Sequence, residues 1–342
     1  MFLRNYWYVV AWSHEISADA LFERTVLGES LLLYRKASGS IVALSNRCCH
    51  RHAPLSMGRR EGDCIRCMYH GLKYDSTGKC VEIPGQSATP AAVRVKAYPV
   101  VERTRWIWVW MGDPDGADAS SIPDTFALEH PAWRMKPGYM HYQAPHALIT
   151  DNVLDFSHLS YVHEGTLGGS TAIAETKPKI EVFDRGVKIT RVVKNAPPAP
   201  YHRRFANIAE NVDRTWIYDY VVPGILRLET IATPVSSVDA AKDSVNLLSC
   251  QALTPETGTT THYFFMQAHG FALDRPEEER AITDSIYQSV VQAFEEDRRI
   301  VEAQQKLIAA AAPADMVGLQ SDLALTQYRR LVERLLAEEA RD

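Results

Sequence analysis

RCCHRHAPLSMG (residues 47–58) and RCMYHGLKYD (residues 66–75) are the two segments that decide the fold of this 342-residue chain. The first contains a C-x-H pattern and the second a C-x-x-H pattern, so each segment offers one thiol and one imidazole. In an intracellular protein, cysteines that cluster in this way more often bind metal than form disulfides. The two patterns offer Cys48, His50, Cys67 and His70 as candidate metal ligands.

The pairing of one cysteine with one histidine in each segment is compatible with two kinds of metal site. Four such ligands can hold one tetrahedral zinc ion, although zinc sites usually combine cysteine pairs with histidine pairs. A Rieske [2Fe–2S] cluster takes two cysteines on one iron and two histidines on the other. The spacing favours the Rieske cluster and leaves zinc as the alternative. The other thiols are expected to be packed and not to bind metal: Cys49, Cys64, Cys80 and Cys250.

The composition excludes several other classes of protein. A hydrophobic content of 46% and a charged content of 23% are typical of a globular chain. The net charge of −5 argues against a nucleic-acid partner, which would require a basic face. No apolar run reaches the length of a membrane span, and the first residues lack the cleavage site of a signal peptide. We therefore expect a cytoplasmic protein with no membrane partner.

A second candidate metal site lies in TDNVLDFSHLSYVH (residues 150–163), which contains the pattern D-x-x-H-x-x-x-x-H. On an ideal helix, His158 and His163 would point about 140° apart. They can share a metal ion only if the helix widens or ends between them, and the glycines that follow favour an end.

A carboxylate that would complete this site is predicted on a helix that runs from Pro276 to about Ala311. Asp297 lies inside the apolar stripe of this helix, and a carboxylate there is costly unless it is paired or binds metal. Two histidines and one carboxylate are the usual ligands of a non-heme iron. The stripe is predicted to comprise Ile286, Val290, Ala293, Phe294, Ile300, Val301 and Ile308. A second helix is predicted from Asp322 to near the end of the chain.

These segments resemble the Rieske non-heme iron oxygenases, and in particular the oxygenase components of the vanillate O-demethylase, dicamba O-demethylase and toluenesulfonate methyl-monooxygenase type. The opening MFLRNYWYVVAWSHEI and the stretches EIPGQ and WMGDP add to the resemblance. The resemblance implies an α+β fold. An N-terminal antiparallel β Rieske domain (residues 1–112) and a linker (113–135) would precede a helix-grip, START-like catalytic domain (136–342) with an antiparallel sheet and long C-terminal helices.

The resemblance also assigns roles to the candidate residues. It implies that Cys48, His50, Cys67 and His70 hold the [2Fe–2S] cluster. It implies that His158, His163 and Asp297 hold a mononuclear Fe(II). Asp155 would bridge the two centres by hydrogen bonds to His158 in its own chain and to His70 of the neighbouring subunit in a head-to-tail homotrimer. Asn152 is expected near the iron.

The activity implied by the resemblance is that of a terminal monooxygenase, which uses O₂ to hydroxylate a methyl or methoxy group of a small aromatic acid. Because the chain has no G-x-G-x-x-G fingerprint, electrons from NAD(P)H must come through a separate reductase that carries flavin and a [2Fe–2S] cluster. The candidate substrate contacts are Arg227, Gln251 and Gln288.

Three alternatives to this activity remain open at this point. The same metal centres serve cis-dihydroxylation of an aromatic ring, and they also serve hydroxylation of a non-aromatic natural product. A third alternative, of another class, is a zinc-containing START-like ligand-binding protein.

Overall fold

The computed structural model describes residues 1–206, 208–311 and 316–341. These residues divide into two compact units, and the first comprises Met1–Ile122 and Thr254–Gly258. The second unit contains the other described residues from Pro123 onward. The division falls inside the predicted linker, whose first ten residues belong to the first unit, where Trp7 Nε1 donates to the Asp118 carbonyl at 2.9 Å. The domain boundaries at 112 and 136 stay predictions.

In the described part of the first unit, short strands pair into three antiparallel sheets. The strands are β1 Trp7–Trp12, β2 Phe22–Val26, β3 Glu29–Arg35, β4 Ile41–Ser45, β5 Arg59–Glu61, β6 Cys64–Arg66, β7 Lys73–Tyr74, β8 Cys80–Glu82, β9 Ala97–Tyr98, β10 Val100–Arg103 and β11 Trp106–Trp110. The strand orders are β1-β11-β10, β2-β3-β4-β9 and β5-β6-β7-β8. All five residues of β11 are buried, because this apolar strand lies between β1 and β10.

The two segments with the Cys–His patterns form loops with a common backbone feature. The first loop connects β4 to β5, and the second connects β6 to β7. The amide of His52 donates to the carbonyl of Cys48 at 2.9 Å, and the amide of Gly71 donates to that of Cys67 at 2.9 Å. Both donors have a left-handed backbone, with φ of 56° at His52 and 76° at Gly71. Each loop thus turns sharply four residues after its cysteine, with its candidate histidine inside the turn.

The described part of the second unit contains one eight-stranded antiparallel sheet. Its strands are β12 Arg134–Met135, β13 Gly138–Tyr142, β14 Lys179–Phe183, β15 Gly186–Ala196, β16 Val212–Val221, β17 Ile225–Pro234, β18 Val245–Pro255 and β19 Thr261–His269. The order is β12-β19-β18-β17-β16-β15-β14, and β13 also pairs with β19. This unit and the β-rich first unit confirm the predicted α+β class.

The helices of the second unit pack against this sheet or against one another. They are α1 His146–Leu154, α2 Ala172–Glu175, α3 Pro200–Ala206, α4 Ala240–Asp243, α5 Pro276–Ala310 and α6 Leu323–Glu339. Both predicted C-terminal helices are therefore confirmed. Among the described residues, no helix is both long enough and apolar enough to cross a membrane.

The apolar stripe of α5 faces the core over most of its predicted length. Proline occupies the first turn, together with three glutamates that suit the positive end of the helix dipole. Asp297 lies in the buried stripe, as predicted. The stripe is shorter than predicted, because Ile300 is 51% exposed and Ile308 is 41% exposed. The buried residues of the stripe are Ile286, Val290, Ala293, Phe294, Asp297 and Val301.

We expect a methyl group at Gly78 to destabilise the first unit more than one at Gly39. Both glycines have a left-handed backbone, which costs about 1–2 kcal/mol for another residue. A Cβ at Gly78 would lie 2.2 Å from the Val95 carbonyl oxygen, whereas a Cβ at Gly39 would meet nothing within 4 Å. Gly78→Ala should therefore lower the free energy of unfolding by about 1–3 kcal/mol more than Gly39→Ala.

Urea unfolding followed by tryptophan fluorescence measures this difference. Most of the chain's seven tryptophans report on the first unit: Trp7, Trp12, Trp106, Trp108 and Trp110. Equal midpoints for the two variants would contradict the expected clash with Val95.

Candidate active site: two metal centres and a cavity

The four candidate ligands of the first unit separate into a buried pair and an exposed pair. Cys48 and Cys67 are each 1% exposed, whereas His50 and His70 lie at the surface with ring centroids 4.5 Å apart. The Tyr74 hydroxyl lies 3.1 Å from Cys48 Sγ and closes the buried side. Two thiols inside and two imidazoles outside fit a two-iron cluster whose irons have different ligands.

The same loops do not fit a single zinc ion. A tetrahedral zinc site needs all its ligand atoms around one point. In a candidate site of this kind, three or more histidine, cysteine or acidic side chains have their ligand atoms within 4.8 Å of one another. Across the described ranges there is one such set, and it belongs to the second unit. The loop cysteines and histidines are therefore arranged as two pairs, which the zinc alternative does not explain.

The remaining cysteines only partly follow the prediction. Cys80 and Cys250 are buried, as expected, and Cys64 is half-buried on β6. Cys49 is exposed, so the expected packing of this residue is wrong, although its Sγ lies 3.2 Å from the Tyr74 hydroxyl. The sulfurs of Cys48 and Cys49 thus both lie beside the Tyr74 hydroxyl, although Cys48 is buried and Cys49 is exposed.

The set in the second unit consists of His158, His163 and Asp297. Asp297 Oδ1 lies 3.1 Å from His163 Nε2 and 3.5 Å from His158 Nε2. The two imidazole planes are inclined by 71°. Two nitrogens and one carboxylate oxygen that converge in this way can bind one side of a divalent iron and leave other coordination positions open.

Local backbone structure explains how the two histidines converge. The helix α1 ends at Leu154, and a 3-10 helix, Phe156–Ser160, carries His158. This 3-10 helix ends before His163, so the angle of about 140° on a continuous helix does not apply. The end of the helix between the two histidines was a condition of the sequence prediction, and the structure meets it.

Each histidine is oriented by a hydrogen bond from its outer nitrogen. His163 Nδ1 lies 2.8 Å from Glu296 Oε2, and His158 Nδ1 lies 2.5 Å from the Asp155 carbonyl oxygen. Thr166 Oγ1 donates to the same Glu296 oxygen at 2.9 Å. Donation from Nδ1 leaves the lone pair of Nε2 directed towards the metal position. Glu296 was not identified from the sequence. The feature that could have indicated it is its position directly before Asp297 in FEEDRR.

The electrostatics of the site favour a bound cation. Burial lowers the pKa of His158, which keeps its ring in the neutral form that binds metal. Burial also opposes protonation of His163, but its hydrogen bonds and charge interactions with Asp297 and Glu296 are together stronger and raise its pKa. Asn152 Nδ2 donates to Asp297 Oδ1 at 3.0 Å. The two carboxylates around His163 thus attract a positive charge, which a divalent metal ion would supply.

The hydrogen bond implied between the Asp155 side chain and His158 needs a correction. The Asp155 carboxylate accepts hydrogen bonds from the Ser157 amide at 2.9 Å and from the Ser157 hydroxyl at 2.8 Å. Asp155 is the N-cap of the 3-10 helix, and its carboxylate binds Ser157 instead of the ring of His158. The contact with His158 is therefore made by the backbone carbonyl of Asp155.

A cavity of about 780 Å³, including the space that is open to solvent, adjoins His158, His163 and Asp297. Most of its wall is aliphatic or aromatic and comes from β16 to β19, α3 and α5. Within the described chain, no lysine or arginine lines it. Three of the polar residues that line it are His158, His163 and Asp297. Apart from phenol and indole groups, the others are Asn152, Thr230, Gln251, Gln267 and Ser289.

Two of the three candidate substrate contacts lie elsewhere. Arg227 Nη2 is paired with Asp219 Oδ2 at 2.9 Å, on the face of β17 opposite to Leu228 of the cavity wall. Successive residues of a strand point to opposite faces, so Arg227 is excluded from the cavity by its position in β17. Gln288 lies on the exposed face of α5. Gln251 does line the cavity, where it accepts a hydrogen bond from the Tyr263 hydroxyl.

Comparisons with known proteins agree with this arrangement. Residues 6–99 match the Rieske [2Fe-2S] domain, and residues 142–338 match the vanillate O-demethylase oxygenase C-terminal domain. The chain is 48% identical to an iron-sulfur subunit of the toluene-4-sulfonate monooxygenase system of Comamonas testosteroni, over 99% of this chain and 98% of that one. It is 32% identical to the oxygenase component of dicamba O-demethylase of Stenotrophomonas maltophilia, over 99% of both chains.

A solved structure shows the same fold. The crystal structure of dicamba monooxygenase bound to 3,6-dichlorosalicylic acid superimposes with a TM-score of 0.89 at 32% identity, over 99% of both chains. The fold and the paired metal sites therefore define a Rieske non-heme iron oxygenase. Within that class, the chain belongs to the family of monooxygenase oxygenase components that includes the vanillate, dicamba and toluenesulfonate enzymes.

We expect Asp297→Ala to remove the mononuclear iron and to leave the cluster in place, because two imidazoles alone hold a divalent ion weakly. The iron content should fall from about three to about two per chain, with an unchanged visible spectrum. The matched control is Glu295→Ala on the same helix, since Glu295 forms ion pairs with Arg298 and Arg299 and does not line the cavity. Full iron content in Asp297→Ala would contradict the role of this carboxylate.

Proposed function

We propose that this chain is the terminal oxygenase of a multicomponent system that hydroxylates a methyl or methoxy group of a small aromatic acid. The observation that carries the proposal is the apolar cavity that ends at His158, His163 and Asp297. The names of the similar toluene-4-sulfonate and dicamba enzymes suggest substrates of this kind. A ring methyl would become an alcohol, and a methoxy group would become a hemiacetal that releases formaldehyde.

The proposed cofactors follow the two sets of ligands. Cys48, His50, Cys67 and His70 would hold the [2Fe–2S] cluster, and His158, His163 and Asp297 would hold the iron. When both are bound, the cluster supplies single electrons and the iron supplies a site for O₂ activation.

Side-chain and backbone groups of the protein give this site its geometry. Glu296 and the Asp155 carbonyl hold the two imidazoles by their Nδ1 atoms, and the Asn152 amide holds one oxygen of Asp297. The apolar wall excludes water and keeps the ring of a substrate next to the metal position. These contacts would place a methyl group of the substrate at the end of the cavity nearest Asp297.

The acid group of the substrate would be held by neutral hydrogen-bond donors. Thr230 Oγ1 is buried and has no hydrogen-bond partner among the residues that the structure describes, although Thr230 lines the cavity. A buried hydroxyl without a partner costs free energy that a ligand can recover. Gln267 also lines the cavity. In our proposal these two residues replace Arg227 and Gln288 as substrate contacts, and Gln251 is kept.

The partners form a further part of the proposal. A head-to-tail homotrimer would bring His70 of one subunit towards Asp155 of the next, and a closed ring is the assembly that such heterologous contacts produce. In this arrangement the Asp155 carboxylate, which Ser157 holds in place, would bridge the two centres. A separate reductase with flavin and a [2Fe–2S] cluster would supply the electrons, and the system would be cytoplasmic.

The product of the reaction tests the proposed activity. The purified holoenzyme, supplied with a surrogate reductase, NADH and ¹⁸O₂, is assayed with 4-methylbenzenesulfonate, 4-methylbenzoate and methoxybenzoates. We expect one labelled oxygen in a benzylic alcohol, or formaldehyde and a phenol. A cis-diol with two labelled oxygens would instead establish ring dihydroxylation. No oxygenated product from any of these acids would contradict the substrate class.

We expect Thr230→Val to raise KM for the accepted acid about tenfold and to change kcat much less. Valine keeps the shape of threonine but removes the hydroxyl, and a hydrogen bond to a charged group contributes about 1.5–3 kcal/mol. The matched control is Thr233→Val on the same strand, because Thr233 Oγ1 lies 2.7 Å from Ser244 Oγ and does not line the cavity. An equal rise of KM in the two variants would contradict the proposed contact.

A further inference from the structure

The loop that follows His163 is attached to the sheet by a buried arginine. Arg214 lies on β16 and is only 2% exposed. Its Nη1 donates to the Gly168 carbonyl at 2.5 Å, and its Nη2 donates to the Leu167 carbonyl at 2.8 Å. We propose that Arg214 is a positioning residue that fixes this loop, and thereby holds both His163 and one wall of the cavity in place. This inference rests on the proposed role of His163 as an iron ligand.

The loop transmits this restraint to His163 directly. The amides of Thr166 and Gly168 both donate to the His163 carbonyl, at 3.0 Å and 2.8 Å. Thr166 Oγ1 also supports Glu296, which orients the ring of His163. A Cβ at Gly168 would lie 2.0 Å from the Leu159 carbonyl oxygen, so the loop is tightly packed at that point. A shift of the carbonyls that Arg214 binds would therefore move the backbone and the ring of His163 together.

Arg214 also contacts the rear of the cavity wall. Its guanidinium carbon lies 4.5 Å from the ring centroid of Trp216, and its side chain interacts with Tyr201. Trp216, Tyr201 and Leu167 all line the cavity. One guanidinium thus connects the loop of an iron ligand to three residues that a substrate would touch.

Stability alone does not account for a charge in this place. The interactions of Arg214 in the described chain are with backbone carbonyls and aromatic rings, and none is with a carboxylate. A buried charge without an opposite charge is costly compared with an apolar residue of the same size. The planar guanidinium can, however, bind two adjacent carbonyls in a fixed geometry, which a lysine cannot do.

The chain contains a matched control for this role. Arg191 lies on β15, is also 2% exposed, and donates from Nη1 to the carbonyls of Ile173 and Thr176. It therefore matches Arg214 in its exposure and in binding two backbone carbonyls, and its additional charge interaction with Asp155 is retained when lysine replaces it. Its carbonyl partners lie beyond the 163–168 loop, and it does not contact the cavity wall formed by the residues above. Arg191→Lys should reproduce the structural cost of the substitution without its effect on His163.

The test compares the Fe(II) affinity of cluster-containing protein after removal and titration of the mononuclear iron. Changes in the partners of a metal-binding histidine typically weaken metal binding about 10–100-fold. We expect a rise of the Fe(II) dissociation constant of that size in Arg214→Lys and a change of less than about twofold in Arg191→Lys. Similar melting temperatures in the two variants would show that the difference is not one of stability. Equal dissociation constants in the two variants would overturn the proposal.

Two further variants keep the result interpretable. Arg214→Gln removes the charge as well as one of the two paired donors, so it tests the same contact if the lysine variant does not fold, and we expect the same weakening of Fe(II) binding. Wild-type affinity in Arg214→Gln would overturn the proposal. Asp297→Ala in the same titration separates the two hypotheses: wild-type affinity there would refute the iron-ligand assignment, whereas weak binding there together with wild-type affinity in Arg214→Lys would refute only the role of Arg214.

Discussion

The carboxylate of Asp297 is the constraint on which the second unit depends. The apolar stripe of α5 carries this residue into the interior, where it is 6% exposed. A buried carboxylate is strongly destabilising unless donors or a cation surround it. Asn152 supplies one donor, and His158 and His163 supply the imidazole nitrogens that would hold a cation beside Asp297, all from a segment more than 130 residues earlier in the chain. The end of α1, the 3-10 helix and the loop after His163 are the backbone features that make this convergence possible.

Groups that do not touch the metal position fix the geometry of those that do. Glu296 holds one imidazole, the Asp155 carbonyl holds the other, and Arg214 restrains the loop between α1 and the sheet. Each restraint comes from a different element, so the site does not depend on the rigidity of one loop. The cavity wall shares some of these restraints, which gives a physical route by which the position of a substrate and the geometry of the iron site depend on each other.

The sequence predictions succeeded where the signal was local and failed where it depended on a distant partner. The Cys–His spacing identified two loops with one thiol and one imidazole each, and the periodicity of α5 identified Asp297. Glu296 looked like a surface residue in the charged run EEDRR, because its partner His163 is 133 residues away. Arg227 lies in the apolar run ILRLETIA, in which leucines face the cavity on one side of β17 and Arg227 meets Asp219 on the other.

The sequence by itself determined the chemical types of the candidate metal ligands, their grouping into two sites, the α+β class and the extent of the two long helices. These properties follow from residue identity and from spacing within one segment. Tertiary structure alone decided which face of β17 meets the cavity, that the backbone of Asp155 binds His158, and that the loop ligands form a buried pair of thiols and an exposed pair of imidazoles. Such choices depend on packing partners that are remote in the chain, and neither spacing nor composition specifies which side chains those partners will bring into contact.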